Sequence, residues 1–310
     1  MPSGSLANRA GGNWYRPACD MSSLRPAPRP LRVFRRLAFR LLHRRRPRHF
    51  LTTRIGGVAL GYWSNSKLAE DIYANAFERE ERRILDGLVR EGSTVIDIGA
   101  NIGFYTCLFA AAVGAAGRVL AFEPTPATFA ALQENVRHNG FRNVELDEVA
   151  LSDRAGTATF HVFPQGADAY NSLGASKAWG TVSAEEVTVR TATLDEVLAS
   201  VPAASISVVK IDVEGAEVLV LAGGSQFFER LGETVIMIEL NEEAARQCGS
   251  SIREVLDRMQ RAGYTAYHLT DAGRLAPVDD AAIAHLMSMK ARHYDAFFVK
   301  PAGEARLRAM

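Results

Sequence analysis

Apolar residues in the middle of the chain fall into short continuous runs, and these runs alternate with longer segments that have helical spacing. Such runs, rich in β-branched residues, are typical of strands buried on both faces of a parallel sheet. The runs are "TVIDIG" (94–99), "RVLAFEP" (118–124), "NVELDEVALSD" (143–153), "ISVVKIDVEG" (206–215), "TVIMIEL" (234–240) and "YDAFFVKP" (294–301). Helical patterns occupy 76–88, 104–115, 124–138 and 251–264. The alternation predicts a doubly wound α/β sheet.

One stretch, residues 157–195, interrupts this alternation. "TATFHVF" and "EVTVRT" flank the polar segment "FPQGADAYNSLGASKAWG" (163–180), so we expect an inserted β-hairpin with a long loop. Long polar loops beside a rigid site often select the substrate, although a plain connector has the same composition. The residues suited to a sugar-like acceptor are Tyr170, Asn171, Ser172 and Trp179.

The first fifty residues differ in composition from the rest. They hold twelve arginines and one acid, Asp20, in a chain whose formal net charge is only +1. Such a segment buries too little apolar surface to fold alone, and we expect most of it to be disordered. The predicted organisation is a basic leader over 1–50, a catalytic domain over 51–303 and a tail over 304–310.

Part of the leader has helical periodicity. Leu31, Phe34, Leu37 and Leu41 recur at three- and four-residue spacing among arginines, which predicts an amphipathic helix over 31–46. A basic helix of this kind suits an anionic membrane surface or nucleic acid. A solvated arm is the alternative, as is an upstream extension if translation starts at Met21.

The cysteines and the hydropathy of the chain indicate the cellular compartment of the protein. Cys19, Cys107 and Cys248 are odd in number, far apart and form no CxxC pair, which favours reduced thiols and a cytoplasmic location. The sequence contains no run of eighteen apolar residues, so it predicts no membrane-spanning helix. Any membrane association is therefore expected to be peripheral and to use the leader.

The candidate chemistry begins at the turn after the first strand, "VIDIGANIGFYT" (95–106). Glycines in a strand–turn–helix allow close approach to the backbone, and a helix N-terminus offers unpaired N–H groups. The pattern is not the G-x-G-x-x-G of dinucleotide sites. Asp97 would favour a cationic ligand such as S-adenosylmethionine over a pyrophosphate. The predicted contacts in this turn are Asp97, Gly99, Asn101 and Gly103.

A second acid supports an adenosyl ligand. Glu123 follows the next strand, twenty residues after Gly103, where an acid can accept both hydroxyls of a ribose. The exit of the third strand places Glu148, Val149 and Ala150 where an adenine edge would lie.

Five separated motifs in this order resemble the FkbM-type methyltransferases: "VIDIGANIGFYT", "AFEPTPATFAALQENVRHNG", "VALSDRAGTATF", "TLDEV" and "VVKIDVEGAEVLVLAGG". The resemblance covers roughly residues 70–300 and leaves out the leader. It implies a Rossmann-like class I methyltransferase fold, with a seven-stranded, mostly parallel sheet whose last strand is antiparallel. It also implies S-adenosylmethionine as the cofactor, with Asp97, Gly99, Gly103 and Glu123 among its contacts.

"KIDVEG" places Lys210, Asp212 and Glu214 at alternate positions running into a strand exit. Methyl transfer to a hydroxyl needs in-line positioning and a base for the departing proton, so these three are the candidate catalytic residues. Asp212 or Glu214 could be that base, and Lys210 could balance the charge or stabilise the oxyanion. The alternative is a purely structural ion pair between the lysine and a carboxylate that caps the following helix, and it would show the same sequence pattern. A Mg²⁺ ion held by Asp212, Glu239 and Asn241 is a further hypothesis, since oxygen ligands suit that ion.

The sequence therefore predicts an S-adenosylmethionine-dependent methyltransferase that acts on a hydroxyl of a sugar, glycolipid or natural product. An NAD-dependent oxidoreductase is one rival, disfavoured by Asp97 and by the absent middle glycine. A non-catalytic protein that binds membrane or nucleic acid through the leader is another. Nucleic acid is the less expected partner, because no "NPPY"-type motif of base N-methylation is present.

Overall fold

The structure is a computed structural model that describes residues 28–43, 49–66, 68–162, 185–270, 273–288 and 294–310. In this part of the chain the strands are β1 (Phe50–Ile55), β2 (Val58–Trp63), β3 (Thr94–Ile98), β4 (Arg118–Phe122), β5 (Val144–Asp147), β6 (Ala150–Leu151), β7 (Gly156–Val162), β8 (Glu185–Ala192), β9 (Ile206–Ile211), β10 (Val235–Leu240), β11 (Thr265–Leu269), β12 (Leu275–Pro277) and β13 (Tyr294–Val299). The helices are α1 (Arg29–His43), α2 (Ala69–Ala74), α3 (Arg79–Leu88), α4 (Phe104–Val113), α5 (Pro126–Asn139), α6 (Leu194–Val197), α7 (Glu217–Ala222), α8 (Ser225–Arg230), α9 (Glu242–Gln247), α10 (Ile252–Arg261), α11 (Asp280–Ser288) and α12 (Pro301–Arg308).

The central sheet has the strand order β12-β11-β13-β10-β9-β3-β4-β5. Strands β10, β9, β3, β4 and β5 pair in parallel, and β13 is antiparallel to both of its neighbours, β10 and β11. The seven-stranded sheet with an antiparallel last strand is thus confirmed. One short strand, β12, extends it at the β11 edge.

Both faces of this sheet are buried, which explains the continuous apolar runs in the sequence. Successive residues of β3 alternate between two cores: Val95 packs with α4 and α5, whereas Ile96 and Ile98 pack with α7, α8 and α10. Because β10, β9, β3, β4 and β5 run parallel, their carboxyl ends lie at one edge of the sheet, and the polar residues that follow them meet there.

A separate three-stranded sheet, in the order β6-β8-β7, contains the predicted hairpin. Its third member, β6, refines the prediction for 143–153, which was a third strand followed by its exit: the exit residues Ala150–Leu151 form a short strand of their own. The chain leaves the central sheet at Asp147, and Ala150–Leu151 pair in parallel with β8 instead. This change of sheet carries the chain from the central sheet towards the hairpin.

Both ends of the described chain are more ordered than their sequences indicate. The predicted amphipathic helix is present as α1, two residues earlier than expected at its start. The hairpin β1–β2 follows it and was not predicted. Residues 304–310 lie mostly in α12, where Leu307 is buried, so they are not a separate tail.

Candidate active site

An open cleft lies at the carboxyl ends of the parallel strands, where a doubly wound fold binds its ligands. About 1280 Å³ of space that no protein atom fills lies within it, and part of this space is open solvent. Its wall includes Glu78, Asp97, Gly99, Asn101, Phe104, Tyr105, Glu123, Val149, Ala150, Phe160, Lys210, Asp212, Glu214 and Glu239.

The glycines of the first turn are constrained by protein packing and by their backbone conformation. Both Gly99 and Gly103 have φ near +80°, where a side chain is strained. A Cβ on Gly99 would lie 1.7 Å from the carbonyl oxygen of Asp212, and one on Gly103 would lie 2.5 Å from Leu132 Cδ1. Gly99 lines the cleft, whereas Gly103 is not among the residues of its wall.

Asp97 is buried at the end of β3 and has one satisfied oxygen. Its Oδ2 accepts a hydrogen bond from Thr106 Oγ1 at 2.6 Å, and its Oδ1 has no protein partner. Burial raises the pKa of this carboxyl, and the neighbouring Lys210 ammonium opposes that rise. An unpartnered, buried carboxylate oxygen on a cleft-lining residue fits a cationic ligand group.

Glu123, at the end of β4, joins the two turns that flank the cleft. Its Oε2 accepts from the Asn101 backbone N–H at 3.0 Å, and its Oε1 accepts from the Thr125 N–H at 2.9 Å. Burial raises the pKa of Glu123 to about 7 despite these donors. Each carboxylate oxygen keeps a second lone pair, so the side chain can still accept from a ligand hydroxyl.

The three residues predicted after the third strand separate in space. Val149 and Ala150 line the cleft. Glu148 is exposed and lies outside the described cleft wall, so its assignment as a cofactor contact has no geometric support.

Lys210 and Asp212 form an ion pair beneath the cleft, with Nζ 2.7 Å from Oδ2. Lys210 is 3% exposed, pairs in register with Asp97 on β3, and places its ammonium 4.9 Å from the centroid of the Tyr105 ring. Burial alone would lower the pKa of Lys210, but Asp212, Glu78 and Asp97 outweigh it and raise that pKa. This direction favours the protonated, cationic form of the lysine.

Glu78 is a cleft residue that sequence reasoning missed. It precedes α3 with φ of +39°, a left-handed conformation rare for glutamate, and it accepts a 2.5 Å hydrogen bond from Tyr105 Oη. Burial raises its pKa to about 7, with Lys210 opposing and Asp212 adding to the rise. Its neighbours in the charge-rich helix pattern gave no reason to single it out.

Asp212, Glu214 and Glu239 form an acidic cluster, with one carboxylate oxygen of each within 4.8 Å of the others. Burial, followed by Asp212 and Glu214, raises the pKa of Glu239 well above its ordinary value. Asn241, the third ligand of the metal hypothesis, already has two hydrogen bonds at its side-chain oxygen. Its side-chain oxygen accepts from the N–H groups of Glu243 and Ala244 and so caps α9.

The predicted substrate loop lies outside the described residues, and with it Tyr170, Asn171, Ser172 and Trp179. Its flanking hairpin does reach the site, because Phe160 on β7 lines the cleft. The hairpin is therefore in position to contact a ligand held there.

The strand order, the acids at successive strand ends and the cleft between them define a Rossmann-like methyltransferase fold. The profile of the Methyltransferase FkbM domain matches residues 97–266, more than half of the chain. The chain belongs to the FkbM family of methyltransferases.

Three curated relatives cover different shares of the chain. The 31-O-demethyl-FK506 methyltransferase FkbM of Streptomyces tacrolimicus is 33% identical over 160 residues, which cover 44% of this chain and 60% of that protein. The hexuronic acid methyltransferase AglP of Haloferax volcanii is 31% identical over 162 residues, and the match covers 52% of this chain and 62% of that protein. The 2-O-methyltransferase NoeI of Sinorhizobium fredii is 29% identical over 194 residues, and the match covers 57% of this chain and 74% of that protein.

The match thus spans about 60% of the length of the first two relatives. A solved structure, methyltransferase FkbM from Methylobacillus flagellatus KT, is 12% identical and covers 74% of this chain and 54% of its own. Its TM-score of 0.41 is too low to add to the family match.

Proposed function

We propose that this protein transfers a methyl group from S-adenosylmethionine to a hydroxyl group of a sugar or another small natural product. One observation carries the proposal: Asp97 and Glu123, at the ends of adjacent strands, share a cleft with the Lys210–Asp212 pair and Glu78. A cofactor site and a set of candidate acid–base groups therefore open into the same space.

The cofactor half of the cleft suits S-adenosylmethionine by charge. Asp97 Oδ1, buried and without a protein partner, would accept from the ammonium group of the methionine portion. Glu123 would accept from the ribose hydroxyls, and Val149 and Ala150 would border the adenine. When bound, the cofactor supplies an electrophilic methyl group on a sulfonium. The role of the protein is then to orient the acceptor and remove its proton.

Glu78 is the base that the geometry favours. A pKa of about 7 is near the value at which a general base works best at neutral pH, and Tyr105 Oη holds one of its oxygens in place. Asp212 already has one oxygen bonded to Lys210, so it and Glu214 are second candidates for the same step. The protonated Lys210 would stabilise negative charge that develops on the acceptor oxygen.

A Mg²⁺ ion is the other arrangement that the acidic cluster allows. Asp212, Glu214 and Glu239 are suitably spaced oxygen donors. The Lys210 ammonium, 2.7 Å from Asp212, already supplies positive charge there. We therefore propose a metal-independent transfer, and chelation provides the test.

Two of the three relatives have names that give an oxygen position, which supports a hydroxyl acceptor, and the third is named for a sugar acid. One is named for the 31-O position of a demethylated FK506, one for a hexuronic acid and one for a 2-O position. Phe160 on the cleft wall offers a flat apolar surface suited to the C–H face of a sugar.

The test is a transfer assay with S-adenosylmethionine labelled in its methyl group. Methyl hexuronides, methyl deoxyhexosides and a macrolide with a free secondary hydroxyl are the acceptors to screen. Binding of S-adenosylhomocysteine, NAD and a short DNA duplex is measured in parallel by calorimetry. We expect binding of the first alone and label transfer to at least one acceptor. Binding of NAD in its place would overturn the proposal.

A further inference from the structure

Helix α1 has the orientation opposite to that of an ordinary surface helix. A helix on a globular domain normally buries its apolar residues and exposes its charges. In α1 the apolar residues face outward: the exposed fraction is 68% at Phe34 and 82% at Leu41. We call the exposed set Leu31, Val33, Phe34, Leu37, Leu41 and Leu42 the apolar stripe.

The opposite side of α1 is attached to the protein mainly through arginines. Arg36 pairs with Asp71 and Arg40 pairs with Glu70, both on α2. The Arg35 guanidinium lies 5.4 Å from the centroid of the Tyr73 ring. Phe39, the one fully buried residue of the helix, packs against the same ring. These contacts hold the helix with its apolar stripe towards solvent.

Among the described residues, the large exposed apolar side chains cluster in the apolar stripe. In the described part of the chain, the large apolar side chains that are exposed are those of the stripe and Phe50 at the start of β1. Monomeric proteins rarely leave such a patch uncovered, and a patch of this kind marks an interaction surface.

We propose that α1 docks the enzyme on an anionic phospholipid bilayer, with the apolar stripe inserted at the boundary between headgroups and acyl chains. Residues 29–48 contain nine arginines and no acid, which matches the charge of anionic headgroups. Arg29, exposed at the start of α1, shares the helix with the stripe. A second copy of the same arginine-rich helix would instead repel the first, so a bilayer is the better partner.

This surface is close to the cleft. Helix α1 packs on α2, and Ile72 of α2 lines the cleft wall. No helix in the described ranges is long and apolar enough to cross a membrane. The docked enzyme would therefore lie on the bilayer, with the cleft wall one helix away, a geometry that suits an acceptor carried on a lipid.

The test is co-sedimentation of the full chain with vesicles of phosphatidylcholine, with and without phosphatidylglycerol, at low salt. We expect binding to the anionic vesicles alone, and weakening by added salt. The double variant Phe34→Ser/Leu41→Ser should bind at least tenfold more weakly, and Arg29→Ser should lose part of the binding. Because these side chains are mostly exposed, the melting temperature should be unchanged.

The control double variant is Arg137→Ser/Arg154→Ser, which removes two exposed arginines from other surfaces. It should bind vesicles like the parent, since net charge alone is not the cause. Unchanged vesicle binding by Phe34→Ser/Leu41→Ser would overturn the proposal. So would a concentration-dependent dimer that this variant abolishes, because the stripe would then belong to a second copy. Binding of S-adenosylhomocysteine should be the same in every variant, so failure here is separable from failure of the proposed function.

Discussion

The carbonyl oxygen of Asp212 occupies the space where a side chain on Gly99 would begin. An added Cβ would lie 1.7 Å from that oxygen, and the Asp212 N–H is itself bonded to Ile98 O. The turn after β3 and the exit of β9 are thus packed backbone to backbone. The same contact places Asp97 beside the Lys210–Asp212 pair.

We expect Gly99→Ala to destabilise the protein by more than about 4 kcal/mol, because backbone must move to accept the methyl group. Gly92→Ala is the matched control: its φ is +74°, but nothing lies within 4 Å of the added Cβ. That change should cost about 1–2 kcal/mol, the cost of the left-handed conformation alone. Denaturant unfolding measures both. Equal losses would show that the Asp212 contact is not tight.

Glu123→Gln should weaken binding of S-adenosylhomocysteine by roughly 10- to 100-fold, because it removes charge-assisted hydrogen bonds worth about 1.5–3 kcal/mol. Glu148→Gln is the control, since Glu148 is exposed and outside the described cleft wall. Calorimetry on both variants, with melting temperatures to check the fold, makes the comparison. A loss in Glu148→Gln alone would reverse the assignment of the two acids.

Glu78→Gln should lower kcat by roughly 10²- to 10⁴-fold, the usual scale for a general base. In the parent, kcat should rise as pH increases through about 7, since Glu78 must be deprotonated to accept the proton. Tyr105→Phe keeps the ring beside Lys210 but removes the hydrogen bond that lowers the pKa of Glu78. The rising limb should then move to higher pH.

The competing assignment of the base is tested with Asp212→Asn and Glu214→Gln. If either variant loses turnover to the same extent while Glu78→Gln retains it, the base is that residue. A fall in melting temperature with normal turnover in Asp212→Asn would leave Asp212 only as the partner of Lys210.

Stability should depend on pH through Glu217, which is 2% exposed and accepts from the Gly215 N–H. Burial raises its pKa from 4.5 to about 7, so the folded state holds a proton that the unfolded chain releases. Its contribution to stability is present below pH 4.5 and is lost as pH rises through 7, by about 3 kcal/mol.

Glu217→Gln should therefore flatten the dependence of the unfolding free energy on pH between 5 and 8. The exposed Glu186→Gln, on β8, should leave it unchanged. Urea unfolding at several pH values measures the difference between each variant and the parent. Parallel curves for the parent and Glu217→Gln would show that Glu217 is ionised in the folded state throughout.

Chelation with EDTA should leave turnover unchanged, because the Lys210 ammonium already lies 2.7 Å from Asp212. Recovery of a lost activity on adding Mg²⁺ would instead assign Asp212, Glu214 and Glu239 as metal ligands.

Features that depend on local periodicity could be predicted from the sequence. The buried strands, the turn after Asp97 and Glu123 at the next strand end follow from apolar runs and their exits. Since parallel strands end at one edge, the sequence alone also indicated that Asp97, Glu123 and Lys210 would meet there. The family motifs lie in this same part of the chain.

Contacts between distant segments decided the rest, because no spacing rule encodes them. Only the tertiary structure brings Glu78 to Tyr105 and Lys210. It also makes Asn241 the cap of α9, and it places a carbonyl oxygen in the space beside Gly99. The sequence determined that α1 is amphipathic. Which side faces outward depended on Asp71 and Glu70 of α2, which bind its arginines and leave the apolar stripe exposed.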